Sequence, residues 1–451
     1  MARELESMSQ LIELLPNITH RYDDTTPVPS AATIIPNGLL DQERHEPLIA
    51  VFHDRIEVQI PNEWQRLVNP AEGRPYYWNH SLRTATESDI TQEHILNRVM
   101  QWGHEIVSFA NQSNRSDYDI VLRVSESEDD ELGSCSYYLV DYTSEVVFWL
   151  REVSTSSLGL PEIRSPTHLK LLLCEQFWVH CEYMPPPHMD FRRKAKELLA
   201  TLGTLCIDAS SSTGSVSPFH KDECESYSKI LAQVLSTGQR LEINWCLGRL
   251  RSLLTQSRII NLFGEHNSRT DRNVVVNGQK APAEAPTFVL WSIIMFSIPQ
   301  MYLVRWNAIW VDRVTYTREW KKLMKEMLEE FLYGLIVSGV LIIASISLLG
   351  LSSSTFVRVI AAIAMMSSIC GGLYSAWLFS TLRSQGGCAA DAANFIQMNE
   401  HITMGLQDMA LKHSIPWALI VWSGVCLFIS GFWEISRDMA RVMLPLISLI
   451  R

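Results

Sequence analysis

The densest gathering of side chains able to do chemistry lies between residues 180 and 190. His180, Cys181, Glu182, His188 and Asp190 flank the triplet Pro185-Pro186-Pro187. Imidazole, thiolate and carboxylate all bind zinc, but zinc takes its ligands tetrahedrally, usually as two pairs at set spacings. Only one pair-like cluster is present, so neither a metal nor another cofactor is expected. The chain carries no G-x-S-x-G, no Walker-type loop, no H-E-x-x-H and no G-x-G-x-x-G after a strand. It reads as a protein without catalytic activity. The triple proline favours polyproline II. It is expected to be either a plain turn between two helices or an internal ligand for an aromatic groove.

Such a groove has two candidate locations. Residues 60–90 place Pro61 and Trp64 ahead of Gly73-Arg74-Pro75-Tyr76-Tyr77-Trp78-Asn79-His80 and Arg83. Strand-prone residues split by Asn-Pro and Gly turns predict three short antiparallel strands. Farther on, residues 119–124, Cys135 to Tyr142 and Val146 to Trp149 predict a second such unit. Tyr138 precedes Trp149 by the same interval that separates Tyr76 from Glu87, and each unit leads into a helix, at Thr91 to Ala110 and Pro166 to Tyr183. A repeated strand–strand–strand–helix unit and a coincidence of composition both remain open.

The first unit resembles a WW domain. The I-P-x-x-W opening and the G-R-x-Y-Y-x-N-H core match in sequence and spacing. The resemblance implies that Pro61, Trp64 and Tyr77 are structural and that Asn79 stabilises the sheet. It further implies that Tyr76 helps to build a ligand groove, with His80 and Arg83 lining the adjoining pocket. In the second unit Tyr138 and Trp149 would be the groove pair. The first unit departs from the family at Glu87, where the second Trp should stand, and the trailing Pro is missing. A groove for a proline-rich ligand needs two aromatic walls. A proline-rich peptide or protein as partner, and a purely structural sheet, are therefore both left open.

The framework around these residues divides by solvent. The net charge is −11, and residues 126–131 are almost all acidic, so no nucleic-acid partner is expected. The nine cysteines are scattered without a C-x-x-C pair and are expected to be reduced. The start of the chain lacks the apolar core of a signal peptide. It reads as an amphipathic helix with Leu5, Met8, Ile12 and Leu15 on one face. The N-terminal part is thus expected in the cytosol, in an organelle that the residues leave open. Residues 188–264 carry leucine stripes at helical period, interrupted by a Ser-rich linker at 209–218.

Three runs are long and apolar enough to span a bilayer core of about 30 Å: 331–351, 356–379 and 417–433. No Asp, Glu, Lys or His is expected deep in them, which argues against a pump or coupled transporter. Residues 287–311, broken by Pro299 and Gln300, read as an interfacial segment, and the basic stretch after it as cytosolic. The tail could lie along the bilayer. Ala364, Ser368, Gly372 and Ala376 stripe the second span at four-residue spacing. Such small residues let helices approach closely, either within the chain or in a homo-oligomer through this span.

The expected fold is an α+β soluble region of small WW-like antiparallel β-sheets plus a helical bundle, followed by an α-helical transmembrane region. Its parts are 1–46, an N-terminal helix and flexible segment; 47–90, the WW-like sheet; 91–117, a helix and linker; and 118–155, the second β unit. Then come 156–286, helical; 287–330, interfacial and basic; 331–435, the spans; and 436–451, the tail. The whole pattern is similar to a group of membrane proteins from mushroom-forming fungi to which no activity is assigned. The matching stretches are Tyr137 to Asp141 with Phe148-Trp149-Leu150, Ser217-Pro218-Phe219, Asn261 to Gly264, and Trp310 to Val314. The resemblance implies architecture. The expected function is that of a membrane-anchored interaction protein. A multi-span membrane enzyme or channel is the alternative.

Overall fold

The computed structural model describes residues 11–16, 60–111, 117–125, 134–276, 282–385, 387 and 389–450. Among them, the residues through Arg272 form one compact unit and those from Asn273 another.

The first unit is built on one mixed sheet. Its strands are β1 (Leu11–Glu13), β2 (Trp64–Val68), β3 (Pro75–Asn79), β4 (Thr84–Thr86), β5 (Asp119–Val124), β6 (Cys135–Asp141) and β7 (Val146–Phe148). The order is β1-β6-β5-β4-β3-β2, with β7 also on β6. The expected separate small sheets are therefore one seven-stranded sheet. The two antiparallel meanders join where β4 pairs in parallel with β5, Thr84 opposite Ile120 and Ala85 opposite Val121. The physical reason is area: a unit of fewer than about 40 residues buries little surface by itself, and joining removes an edge from each. Helix α1 (Glu93–Asn111) makes the crossover that parallel pairing requires. The strand–strand–strand–helix order occurs twice, ending in α1 and in α2 (Pro166–Tyr183).

The N-terminal expectation needs correction. Leu5 and Met8 lie outside the described residues, but Leu11–Glu13 is a strand rather than a helix, parallel to β6 with Leu11 opposite Cys135. Leu11 is buried while Ile12 is 48% exposed, the period of a strand.

The same alternation sorts the sheet into two faces. Trp64, Tyr77, Ile120, Leu122, Tyr137 and Leu139 pack on α1 through Ile95, Val99, Trp102 and Ile106. Tyr76, Trp78, Val121, Tyr138 and Val140 pack on the opposite side against Phe177, Trp178 and Cys181 of α2. Helix α2 begins where the Ser165 side chain accepts from the His168 amide, with a proline in the first turn, an ordinary helix start. Behind it come α3 (Arg192–Ser211), α4 (Lys221–Thr237) and α5 (Arg240–Ile260). The Ser-rich segment is partly helical, since α3 runs through Ser211. Its Gly214 carbonyl accepts from the Arg272 amide at 2.9 Å.

The second unit is helical: α6 (Pro286–Ile294), α7 (Ile298–Ile309), α8 (Thr317–Leu351), α9 (Thr355–Arg383), α10 (Ala389–Asn399) and α11 (Gln407–Ile450). Among the described residues three helices are long and apolar enough to cross a membrane: α8, α9 and α11 over Gln407–Met439. The basic stretch and the first span are one continuous helix. The third helix starts ten residues earlier than the apolar run and continues through the expected tail. Pro416 does not end it. His413, which the apolar run left out, is therefore inside α11 and buried. Its Nδ1 lies 2.8 Å from the Met409 carbonyl, and Tyr302, Trp306 and Phe331 surround its ring.

The small-residue stripe of α9 is used inside the chain. Ala364, Ser368 and Gly372 are buried, and Ala376 is partly so. A Cβ on Gly372 would lie 2.6 Å from Ser338 Oγ of α8, and one on Gly371 3.1 Å from the Pro416 carbonyl of α11. Ser368 and Ser423 hydroxyls are 2.6 Å apart. Of the two uses left open for this stripe, packing within the chain is the one seen: α8 and α11 cover it.

Candidate functional site

The most elaborate polar arrangement of the first unit lies on the α2 side of the sheet, where the candidate groove residues and the proline triplet meet. Tyr76 sits on β3 and points to this side. Its hydroxyl donates to the Pro185 carbonyl at 2.6 Å. Trp78, two residues on and hence on the same face, stacks on His188 with ring centroids 4.9 Å apart and planes 10° apart. Prolines have no amide to donate, so their carbonyls are what a partner can hold. Each is held. Pro186 accepts from Asn244 Nδ2 at 2.8 Å and Pro187 from Arg240 at 2.8 Å. Asn69 pins the incoming chain through the Glu182 and Tyr183 carbonyls at 2.8 and 2.9 Å.

This placement changes the groove expectation. Tyr76 and Tyr138 are 3% and 2% exposed, so the surface on which an outside peptide was expected lies beneath α2 and the proline segment. Arg83 is held in ion pairs. Its Nε donates to Asp119 at 2.8 Å and its NH1 to Asp117 at 2.6 Å. His80 is exposed, and its Nδ1 accepts from the Trp78 indole at 3.2 Å. Trp149 is half-buried and turns its indole N–H to the Leu14 carbonyl at 3.1 Å. Trp64 packs with Tyr77 on the α1 side, and its amide donates to the half-buried Pro61 at 2.9 Å. Asn79 holds the β3–β4 turn, its Oδ1 accepting from the Ser81 and Leu82 amides at 2.9 Å each.

Glu87, at the position of the absent tryptophan, is bound on three sides. It pairs with Arg123, accepts from the Tyr183 hydroxyl at 2.5 Å and lies 3.5 Å from Arg74. The Arg74 guanidinium also meets Tyr183. An ion-paired carboxylate thus ties the sheet to the end of α2 where the family has an aromatic wall.

The side chains first read for metal chemistry diverge. His180 points into the sheet, its Nδ1 3.0 Å from the Tyr138 hydroxyl and its Nε2 3.4 Å from that of Tyr142. Glu182 faces Arg249 and Ser252 on α5, and Asp190 accepts from the Arg192 amide ahead of α3. Among the described residues no group of three His, Cys, Asp or Glu is placed to hold a metal. What lies together instead is Asp119, Tyr142, His180 and His188, with His188 Nε2 3.3 Å from Asp119 Oδ2. Trp78 and Asp119 were missed as members. Period-two alternation from Tyr76 could have found Trp78. Asp119, read as the first residue of a strand, had no local signal.

Burial sets the charges here. It lowers His180 to about 3, with His188 a lesser cause, and lowers His188 to about 4, with Arg83 and His80 adding. It raises Asp119 to about 6 against the opposing pull of Arg83. The two histidines, depressed from 6.5, contribute stability that is full above 6.5 and is lost as pH falls through 4 and 3. Asp119, raised from 3.8, contributes stability present below 3.8 and lost as pH rises through 6. Between these limits two losses on acidification oppose one gain, so the unit should weaken from pH 6.5 toward 4. Within this cluster H180Q/H188Q leaves only the Asp119 effect, so the loss on acidification should shrink. Urea midpoints from pulse proteolysis across this range check it. A flat wild-type profile would contradict the assignment.

Compared with protein-family models, curated proteins and solved structures, the chain finds no match. The likeness to WW domains stands on the quoted residues alone.

Proposed function

We propose that the chain is a membrane-anchored interaction protein. In this reading its WW-like sheet engages a proline-rich segment, in this conformation its own Pro185–Pro187. The observation that carries it is the Tyr76 hydroxyl on the Pro185 carbonyl beside Trp78 stacked on His188. An aromatic face presents a hydroxyl donor to a proline carbonyl, which is the chemistry of polyproline II recognition. A proline-rich partner would act by replacing the internal segment, not by entering an open groove. No catalytic role is assigned.

The anchor is the set of apolar helices. Arg305, Arg313, Arg318, Lys321, Lys322, Lys325, Arg383 and Lys412 flank one end of the spans, against Arg358, Arg437, Arg441 and Arg451 at the other. The positive-inside rule puts the richer end, which the first unit precedes, in the cytosol. The multi-pass arrangement with a cytosolic N-terminal unit follows.

Replacing Pro185, Pro186 and Pro187 together by Ser-Gly-Ser should uncover Tyr76 and Trp78. The variant is expected to bind a proline-rich peptide array that the native chain ignores, and Y76F should weaken that binding several-fold. A variant that resists proteolysis like the native chain but binds no such peptide would overturn the reading. Alkaline extraction of membranes checks the anchor: the protein should stay in the pellet.

A further inference from the structure

The second unit opens with a pair of helices too short to cross a bilayer. The nine residues of α6 and twelve of α7 reach about 14 and 18 Å, against a core of about 30 Å. The chain reverses between them at Met295–Ser297, with Phe296 and Ser297 in the left-handed region at φ 57° and 61°. The outer face is apolar and open: Leu290, Ile293 and Val304 are 58%, 71% and 68% exposed.

A turn in hydrocarbon has to satisfy its own backbone, and this one does. The amides of Met295, Phe296, Ser297 and Ile298 all donate to carbonyls within the hairpin, at 2.7 to 3.2 Å. The Ile294 carbonyl accepts from Trp422 Nε1 of α11 at 3.1 Å, and Phe296 packs on the same tryptophan at 5.1 Å.

Both ends of the hairpin return to one level. Ala285 donates to Gln407 Oε1 and Ala283 accepts from Gln407 Nε2, each at 2.9 Å. Arg305 pairs with Glu330, the last charged residue before the apolar run of α8. Two rulers then give the depth of the tip. From Arg305 back to Ser297 is about 12 Å of helix, and from His413, beside Phe331, to Trp422 about 14 Å. Both place the tip near the middle of the bilayer.

We propose that α6–α7 is a half-depth hairpin packed among the acyl chains of the leaflet on the basic side. That leaflet then holds five helices, α6, α7, α8, α9 and α11, and the opposite leaflet three. The membrane part is a wedge and favours membranes convex toward the basic side. The proposal rests on the membrane anchoring proposed above.

The test has two arms on the full-length protein in vesicles. Impermeant maleimide should add label to E284C and K322C from the same side, above the native chain's own background, and to F296C from neither. Labelling of F296C from the far side would mean a fourth span, and free labelling from the near side a surface segment. Either overturns the hairpin. In the second arm, small sonicated vesicles should take up the protein with its N-terminal unit outward several-fold more often than large extruded ones of the same lipid. Orientation is read by protease. L290S/I293S/V304S should lose that bias. Equal orientation of the native chain in both sizes overturns the wedge. Release of the protein by alkaline extraction would instead overturn the anchoring.

Discussion

Gly248→Val is expected to abolish the protease-resistant fold of the N-terminal unit while leaving the helices of the second unit intact. Gly248 lies on α5 where it crosses α2. A Cβ there would sit 2.6 Å from the Glu182 amide nitrogen, 2.8 Å from the Cys181 carbonyl carbon and 3.0 Å from Glu182 Cα. These are backbone atoms of a neighbouring helix, so no rotamer change relieves the clash. The helices would have to separate. Overpacking by a methylene or two costs about 1–3 kcal/mol where side chains can adjust. Here two helices carrying Phe177, Trp178, Leu247 and Leu250 would move apart, and the expected loss is a large part of the roughly 5–15 kcal/mol that a domain has. Gly203→Ala on α3 is the control. Nothing lies within 4 Å of its Cβ, so better helix propensity should stabilise by about 0.5–1 kcal/mol. Limited proteolysis of both variants in detergent separates the outcomes. A resistant Gly248→Val chain would show that α2 and α5 do not approach this closely.

The second large effect is expected at Asp119, where two substitutions should diverge. Its carboxylate is 1% exposed, holds the Arg83 side chain and faces His188. Its raised pKa shows that burial outweighs the attraction of Arg83 for the charge. Asp119→Asn keeps the shape and removes the cost of burying a charge, so it should be near neutral at pH 7. Asp119→Ala leaves a hole and strips Arg83 of its buried partner. Losing one member of a buried pair costs about 3–5 kcal/mol, and about 2–3 is expected here because Arg83 is itself 35% exposed. Urea midpoints at pH 7 read the difference. Equal losses in the two variants would mean that the charge itself is what the fold needs.

The acidic profile predicted for His180 and His188 and the behaviour of Asp119 concern one cluster, drawn from β5, from the turn after β6, from α2 and from the chain following the prolines. None of these groups is near the others in sequence except the two histidines. His180 has Cys181 and Glu182 as its neighbours in the chain but does not share the surroundings of Glu182. Successive residues of a helix face in different directions: His180 turns to Tyr138 and Tyr142, while Glu182 turns to Arg249 and Ser252. Glu87 shows the same limit. As a letter it is a missing wall, and its compensation by Arg123 and Tyr183 comes from positions far along the chain.

The amino-acid order alone determined what depends on neighbours at helical or strand period. It marked the strands of both meanders, the helix α2 from Pro166 to Tyr183, and the three apolar runs that became α8, α9 and α11, because local backbone preference and side-chain hydropathy act within a few residues. Only the tertiary structure decided what depends on which surfaces meet. It merged two small sheets through β4 and β5, made Leu11–Glu13 a strand by giving it β6 to pair with, and closed Tyr76 and Trp78 under Pro185–His188. It also turned α6–α7 back at Phe296 against Trp422. In each case the deciding free energy is that of burying one segment against another distant in the chain, which no local window contains.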